Sequence, residues 1–207
     1  LVDDTGAIVP ADRALLLFVD LVAAEAATGH VAVPVTTTRI VEQVAAFHGV
    51  EIDWTSTAPG ALAMAAGREG LLLAGDGRGG FVVPEFSTAV DGFAAFVRLL
   101  GVMARTGLPL SAIDARIPQA HVVRLSVPTP WAAKGVVMRA VLETAEAADA
   151  RIDTTDGVRV IEPDGAWALV LPDPTEAVTR LWAEGATRER ATSLAHRWAD
   201  LVANVDR

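Results

Sequence analysis

The 207-residue sequence contains no cysteine. Disulfides, thiol nucleophiles and cysteine-held metals are therefore excluded, and the absence fits a cytoplasmic setting. Basic residues are scarce: 17 Lys and Arg stand against 26 Asp and Glu, a formal net charge of −9. A sequence-independent nucleic-acid surface needs Lys and Arg facing the phosphates, so nucleic acid is not an expected partner. Long hydrophobic runs are missing as well. The most apolar stretch, ALLLFVDLVAAEAA, is interrupted by Asp20 and Glu25, so neither a membrane span nor a signal peptide is expected. What remains can build a core. Hydrophobic residues make up 52% and charged residues 21%, a globular composition with length for one large domain or two small ones. The chain opens on Leu1 and runs directly into strand-like sequence, which suggests a piece of something longer.

Periodicity divides the chain in two. LVDDTGAIVP predicts two short strands around a turn. Asp12 to about Thr28 steps at helical spacing through Leu15, Phe18, Leu21 and Val22, with Gly29 beyond its end. Strands follow at HVAVPV, VEIDW, GLLLAG and FVVPEF. Helices are expected at TTTRIVEQVAAFHG, with a Thr cap, after Pro59 through Ala66, and over Thr88–Arg105 with Phe93, Phe96, Val97, Leu100 and Ala104 on one face. Alternating strands and helices predict an α/β domain with three layers. After TGLPLSAIDARIPQ, which holds two prolines, the pattern changes. HVVRLSVPTP is a strand and Trp131–Ala150 a helix; GVRVIEP, AWALVLP and VTRLWAE are consecutive strands, and Thr187 to about Val205 is a last helix. This predicts an α/β/α domain over 1–115, then a small α+β domain over 116–207 with a mostly antiparallel sheet and two helices.

Two loops carry candidate chemistry. In GDGRGG, glycines permit close approach of backbone to a ligand, and Asp76 and Arg78 could read sugar hydroxyls, although a plain flexible turn is the simpler account. The loop lacks the Lys and Ser/Thr of a Walker loop, and a strand follows where a dinucleotide fingerprint needs a helix. In LPDPTEAVTR, Thr175, Glu176 and Arg180 could hold an anion, but Asp173 brings negative charge and Pro174 has no N–H.

Together these stretches, with LVDDTGAIVPADRALLLFVDLV at the start, resemble the C-terminal half of an α-D-phosphohexomutase, of the phosphoglucomutase/phosphomannomutase superfamily. PTPWAAKGVVMR further resembles the branch in which a degenerate mutase-like region is fused to a mannose-1-phosphate guanylyltransferase. The resemblance implies an isomerase built from four domains. A phosphoserine in the first and Mg²⁺ in the second perform intramolecular phosphoryl transfer; the third reads the sugar and the fourth grips the phosphate that does not react. This chain would supply the third and fourth. It implies substrate contacts at Asp76, Arg78, Gly79, Gly80, Thr175, Glu176 and Arg180, with no catalytic residue, metal or other cofactor in this fragment. Mg²⁺ is expected only in the full-length family. The implied partners are a hexose phosphate or nucleotide sugar and the missing N-terminal domains.

Departures from the family pattern are specific. Asp76 replaces a Glu and loses about 1.5 Å of reach; Arg78 replaces Ser or Asn. In WTSTAPGALAMAA a T-x-x-G-x-K pattern has Ala58 for Gly and Gly60 for Lys. In the second loop Leu171 replaces Arg, Asp173 Ser and Pro174 Gly. These losses predict a weakened phosphate loop. Two functions stay open: part of a working phosphosugar mutase, or a non-catalytic regulatory or structural module attached to a nucleotidyltransferase. Elsewhere His30, His48, His121 and His196 are scattered, with no pair at metal-like spacing. Trp131, Trp167, Trp182 and Trp198 are expected in the core of the small domain. Glu143, Glu146 and Asp149 are expected on an exposed helix face, and Asp91 is expected to cap a helix.

Overall fold

A computed structural model describes residues 1–148 and 150–205, and Asp149 lies outside the described residues. The chain separates into two compact units, Leu1–Gln119 and Ala120–Arg207.

The first unit is built on α1 (Ala11–Glu25). Residues Leu15 to Val19, Leu21 and Val22 are all buried, so this helix is apolar nearly all round, as a central helix must be. Asp20 is tolerated because His48 Nε2 pairs with its Oδ1 at 2.8 Å. Strands β1 (His30–Pro34), β2 (Glu51–Thr55), β3 (Leu71–Gly75) and β4 (Phe81–Val82) form a sheet in the order β2-β1-β3-β4. The first three are parallel, and β4 returns antiparallel to β3. Side-chain alternation along the strands divides the core. Val31, Val33 and Leu73 face the cluster of α1, α2 (Ile40–Phe47) and α4 (Gly92–Thr106), whereas Ala32 and Ala74 face α3 (Ala61–Ala65). The unit therefore has three layers.

Several local expectations shift. The opening pair of strands reduces to one bridge, Val2 with Ile8. The α2 helix starts at Ile40, with Arg39 at its N-cap and no side-chain cap on the terminal amides, although Thr38 Oγ1 accepts from the Ile40 N–H at 3.2 Å. FVVPEF yields only two strand residues, and Pro84 supplies no N–H to extend the ladder. The first unit runs four residues past 115. Leu110 and Ile113 of α5 (Leu110–Asp114), with Ile117, are buried in its core. Arg13 fastens this tail: Nε donates to Asp114 Oδ1 at 2.6 Å, and its terminal nitrogens donate to the carbonyls of Asp114, Ile117 and Pro118 at 2.7–2.8 Å.

The second unit is an antiparallel sheet in the order β5-β9-β8-β7-β6: β5 (His121–Pro128), β6 (Arg151–Asp153), β7 (Val158–Ile161), β8 (Trp167–Pro172) and β9 (Val178–Gly185). The three-residue β6 has too little pattern to be visible in sequence. Two helices, α6 (Lys134–Ala147) and α7 (Arg188–Asn204), cover one face. Val158, Val160, Ala168, Val170, Leu181 and Ala183 meet Val137, Val141, Leu194 and Trp198 there. The region from Trp131 begins as a single 3-10 turn, Trp131–Ala133, before α6. Trp167, Trp182 and Trp198 are buried, but Trp131 is 56% exposed, which corrects its assignment to the core.

Candidate functional site

Parallel strands β1, β2 and β3 bring their carboxyl ends to one edge of the sheet. Loops at that edge are where open α/β sheets take ligands. The loop after β3, Asp76–Gly80, lies there. Asp76 does not reach outward. Its Oδ1 accepts from the N–H groups of Arg78 (2.7 Å) and Gly80 (2.9 Å), and its own N–H donates to the Gly80 carbonyl at 3.1 Å. One carboxylate oxygen thus closes the loop on itself, so the Asp that stands for the family Glu serves the backbone. Gly80 is required for the same reason, since an added Cβ would lie 2.7 Å from Asp76 Oδ2. Gly79 turns the tip at φ +105°. Arg78 and Gly79 are exposed, and the Arg78 guanidinium has no partner among the described residues. Of this loop's candidates, Arg78 and the Gly79 backbone remain available to a ligand.

At the carboxyl end of β1, sequence reasoning passed over Thr37. It is 7% exposed, and its hydroxyl has no hydrogen-bond partner. Three consecutive threonines (36–38) were the only signal.

The second loop joins β8 to β9. Asp173 Oδ1 accepts from the Thr175 N–H (2.8 Å), the Thr175 hydroxyl (2.9 Å) and the Glu176 N–H (2.9 Å), and Oδ2 accepts from Arg180 Nε at 2.5 Å. Arg180 also donates to Glu176 Oε2 at 2.7 Å. The Arg180 guanidinium and these N–H bonds hold the Asp173 carboxyl well below the usual carboxylate range. Besides bringing negative charge, Asp173 gathers the loop's donors. Lys134 underpins the arrangement. Its Nζ donates to the carbonyls of Asp173 (2.5 Å) and Glu176 (2.6 Å) and lies 3.5 Å from the centroid of the Trp131 ring. Lys134 was not legible as a loop anchor, because 39 residues separate it from Asp173.

Other candidates resolve into structure. His30 bridges Asp53 and the Glu69 carbonyl. Asp91 accepts from the Phe93 and Ala94 N–H groups, both at 2.9 Å, and caps α4. A cavity of about 500 Å³ in the first unit is lined by Asp20, Val44, Phe47, His48, Leu108 and Ile117 among others, and by no residue of the 76–80 loop. Among the described residues no three His, Asp or Glu side chains converge as a metal site.

A three-layer α/β unit with a glycine loop at the carboxyl edge of its parallel strands, followed by an antiparallel α+β unit, defines a two-unit α/β protein. Residues 10–120 match the family described as Phosphoglucomutase/phosphomannomutase, alpha/beta/alpha domain III, and the chain belongs to that family. It is 33% identical over 201 residues to a protein of Methanopyrus kandleri named probable phosphoglucosamine mutase, covering 97% of this chain and 44% of that one. It is 26% identical over 190 residues to a phosphoglucomutase/phosphomannomutase of Thermococcus kodakarensis, covering 92% and 41%. A crystal structure of a phosphoglucomutase/phosphomannomutase family protein from Burkholderia thailandensis superposes with a TM-score of 0.76 at 22% identity, over 97% of this chain and 43% of that one. The N-acetylphosphoglucosamine mutase of Aspergillus fumigatus, in complex with GlcNAc-6P and magnesium, superposes with a TM-score of 0.67 at 14% identity, covering 98% and 49%. Likeness at these two identities speaks for the fold. The chain spans less than half the length of the curated relatives it matches.

Proposed function

We propose that this chain is the hexose-phosphate-recognising part of a phosphohexomutase, an enzyme that moves a phosphoryl group between two oxygens of one sugar. The observation that carries this is the collinear similarity to a probable phosphoglucosamine mutase across 97% of the chain, both units included. Arg78 and the Gly79 backbone are the sugar-phosphate contacts of the first unit; in the second unit the candidate donors of Thr175, Glu176 and Arg180 are held by Asp173. Asp76 acts indirectly, by fixing the loop. Phosphoryl transfer itself needs a group that carries the phosphoryl and a counter-charge for the transition state; both fall to other parts of the protein, magnesium among them. The partners are therefore a hexose phosphate and the remaining domains of the same enzyme, in the cytoplasm.

The test is titration of this chain with mannose, glucose and glucosamine 6-phosphates, followed by amide NMR. Weak binding near the millimolar range, worth only about 4 kcal/mol, is expected, with shifts centred on Arg78–Gly80 that disappear in Arg78→Ala. No interconversion of 6- and 1-phosphates by this chain is expected. Silence at 78–80 with every sugar phosphate would sink the proposal, as would turnover. A second reading, a non-catalytic module joined to a sugar-1-phosphate nucleotidyltransferase, is favoured by one observation: the 173–180 donors are already engaged by Asp173. Under it a nucleotide sugar, not a hexose 6-phosphate, produces the shifts.

A further inference from the structure

The 173–180 loop is an anion cradle with an anion in it. Two backbone N–H groups, one hydroxyl and one guanidinium N–H converge on the Asp173 carboxylate. Converging amides with a guanidinium make the donor set that holds a phosphoryl oxyanion. Other aspartates form related turns, and they differ in a telling way: Asp164 meets the Arg190 guanidinium but accepts a single backbone N–H, that of Ala166. Asp3 accepts from the Thr5 and Ala7 N–H groups and the Thr5 hydroxyl, with no cation. Asp76 accepts from two N–H groups, again with no cation. Asp153 does meet a guanidinium, but Arg159 has a side chain only 4% exposed, closed to any outside ligand. At Asp173 the guanidinium remains 38% exposed.

We propose that Asp173 is the resident anion of this loop and its specificity-determining residue, keeping a free phosphoryl oxyanion out of donors that would otherwise hold it. The carboxylate is tethered within the loop, so its effective concentration exceeds that of a dissolved competitor at millimolar levels. Glu176, 61% exposed and beside Arg180, adds like-charge repulsion at the entrance. The inference rests on the proposed sugar-phosphate function only for the nature of the ligand excluded. The cradle itself is local geometry.

Inorganic phosphate is the probe, followed by calorimetry, by thermal shift and by the amides of Thr175 and Glu176. The unaltered chain should show no saturable binding below roughly 10 mM. Asp173→Ala should bind phosphate at least about tenfold more tightly, since each charge-assisted donor released is worth that much. Phosphate should also restore part of the melting temperature that this variant loses. Adding Arg180→Ala should abolish the gain. Asp3→Ala, which frees a similar set of donors without a guanidinium, should not be rescued. Should Asp173→Ala fail to fold, Asp173→Asn keeps the size and loop bonds while removing the charge, and should show a smaller gain of the same sign. The proposal is overturned if phosphate binds the unaltered chain and the Asp173 variants equally, or if rescue of Asp3→Ala matches that of Asp173→Ala. The two hypotheses fail separately, because shifts at 78–80 with sugar phosphates report on function and shifts at 175–176 with phosphate report on the cradle.

Discussion

At the scale of single residues, His30 shows how two acceptors set a protonation state. Its Nδ1 lies 2.5 Å from Asp53 Oδ2 and its Nε2 lies 3.0 Å from the Glu69 carbonyl. Both bonds exist only when both ring nitrogens carry hydrogen, which is the cation. Burial opposes that charge, but the Glu69 carbonyl and the Asp53 carboxylate outweigh it, with Arg68 acting the other way, and the pKa is raised above 6.5. A raised folded-state value gives stability that is complete below the unfolded value and fades as pH rises through the folded one. Urea midpoints should therefore fall between about pH 6 and the raised folded value in the unaltered chain, and fall less in His30→Asn. Parallel pH curves for the two proteins would remove His30 as the cause. Nothing in the sequence marked this histidine, since Asp53 is 23 residues away.

At the scale of elements, α4 separates what pattern supplies from what packing selects. Its start is local: Asp91 accepts the first free amides, and Gly107 closes the other end at φ +66°. Asp91→Ala should cost about 1 kcal/mol by urea denaturation and speed amide exchange in the first turn of α4; a change too small to measure would mean that the cap is redundant. Its packing face is another matter. Phe93, Phe96, Val97 and Leu100 form the conspicuous apolar stripe, yet all are 45–78% exposed. The buried stripe is Ala95, Leu99 and Val102. Both sets step at helical spacing, and the less bulky one is buried in the core. Phe86 and Val90, just before α4, are also more than half exposed.

At the scale of the whole molecule, no buried cluster among the described residues mixes residues of the two units. The first unit's clusters run from Val9 to Ile117, and the second unit's cluster runs from Val137 to Val202. Each has its own core, the condition for folding alone. A fragment ending at Gln119 should therefore unfold cooperatively by far-UV circular dichroism. One ending at 115 should be less stable, because it loses buried Ile117 and the carbonyls that Arg13 holds. A non-cooperative 1–119 fragment would show that its core is insufficient.

The sequence by itself determined the alternation of strands and helices, the change to consecutive strands after the 106–119 connection, the α4 cap at Asp91, the start of the last helix near Thr187, and the two candidate loops. Each of these is written in neighbouring residues, through periodicity, turn chemistry or capping. Tertiary structure decided the rest. It set which stripe of α4 is buried, why the first unit extends past its prolines, that Trp131 stands outside the core on Lys134, and that one Asp76 carboxylate oxygen closes its loop. It also decided that Asp173 fills the cradle it was expected to impair. The short turn bonds of these aspartates are local. What sets Asp173 apart from a plain turn former is Arg180 returning on β9 to its carboxylate, while Lys134 arriving from α6 holds the backbone carbonyls of the loop. A side chain's role depends on which donors reach it, and donors brought by other elements are placed only when the sheet pairs and the helices pack.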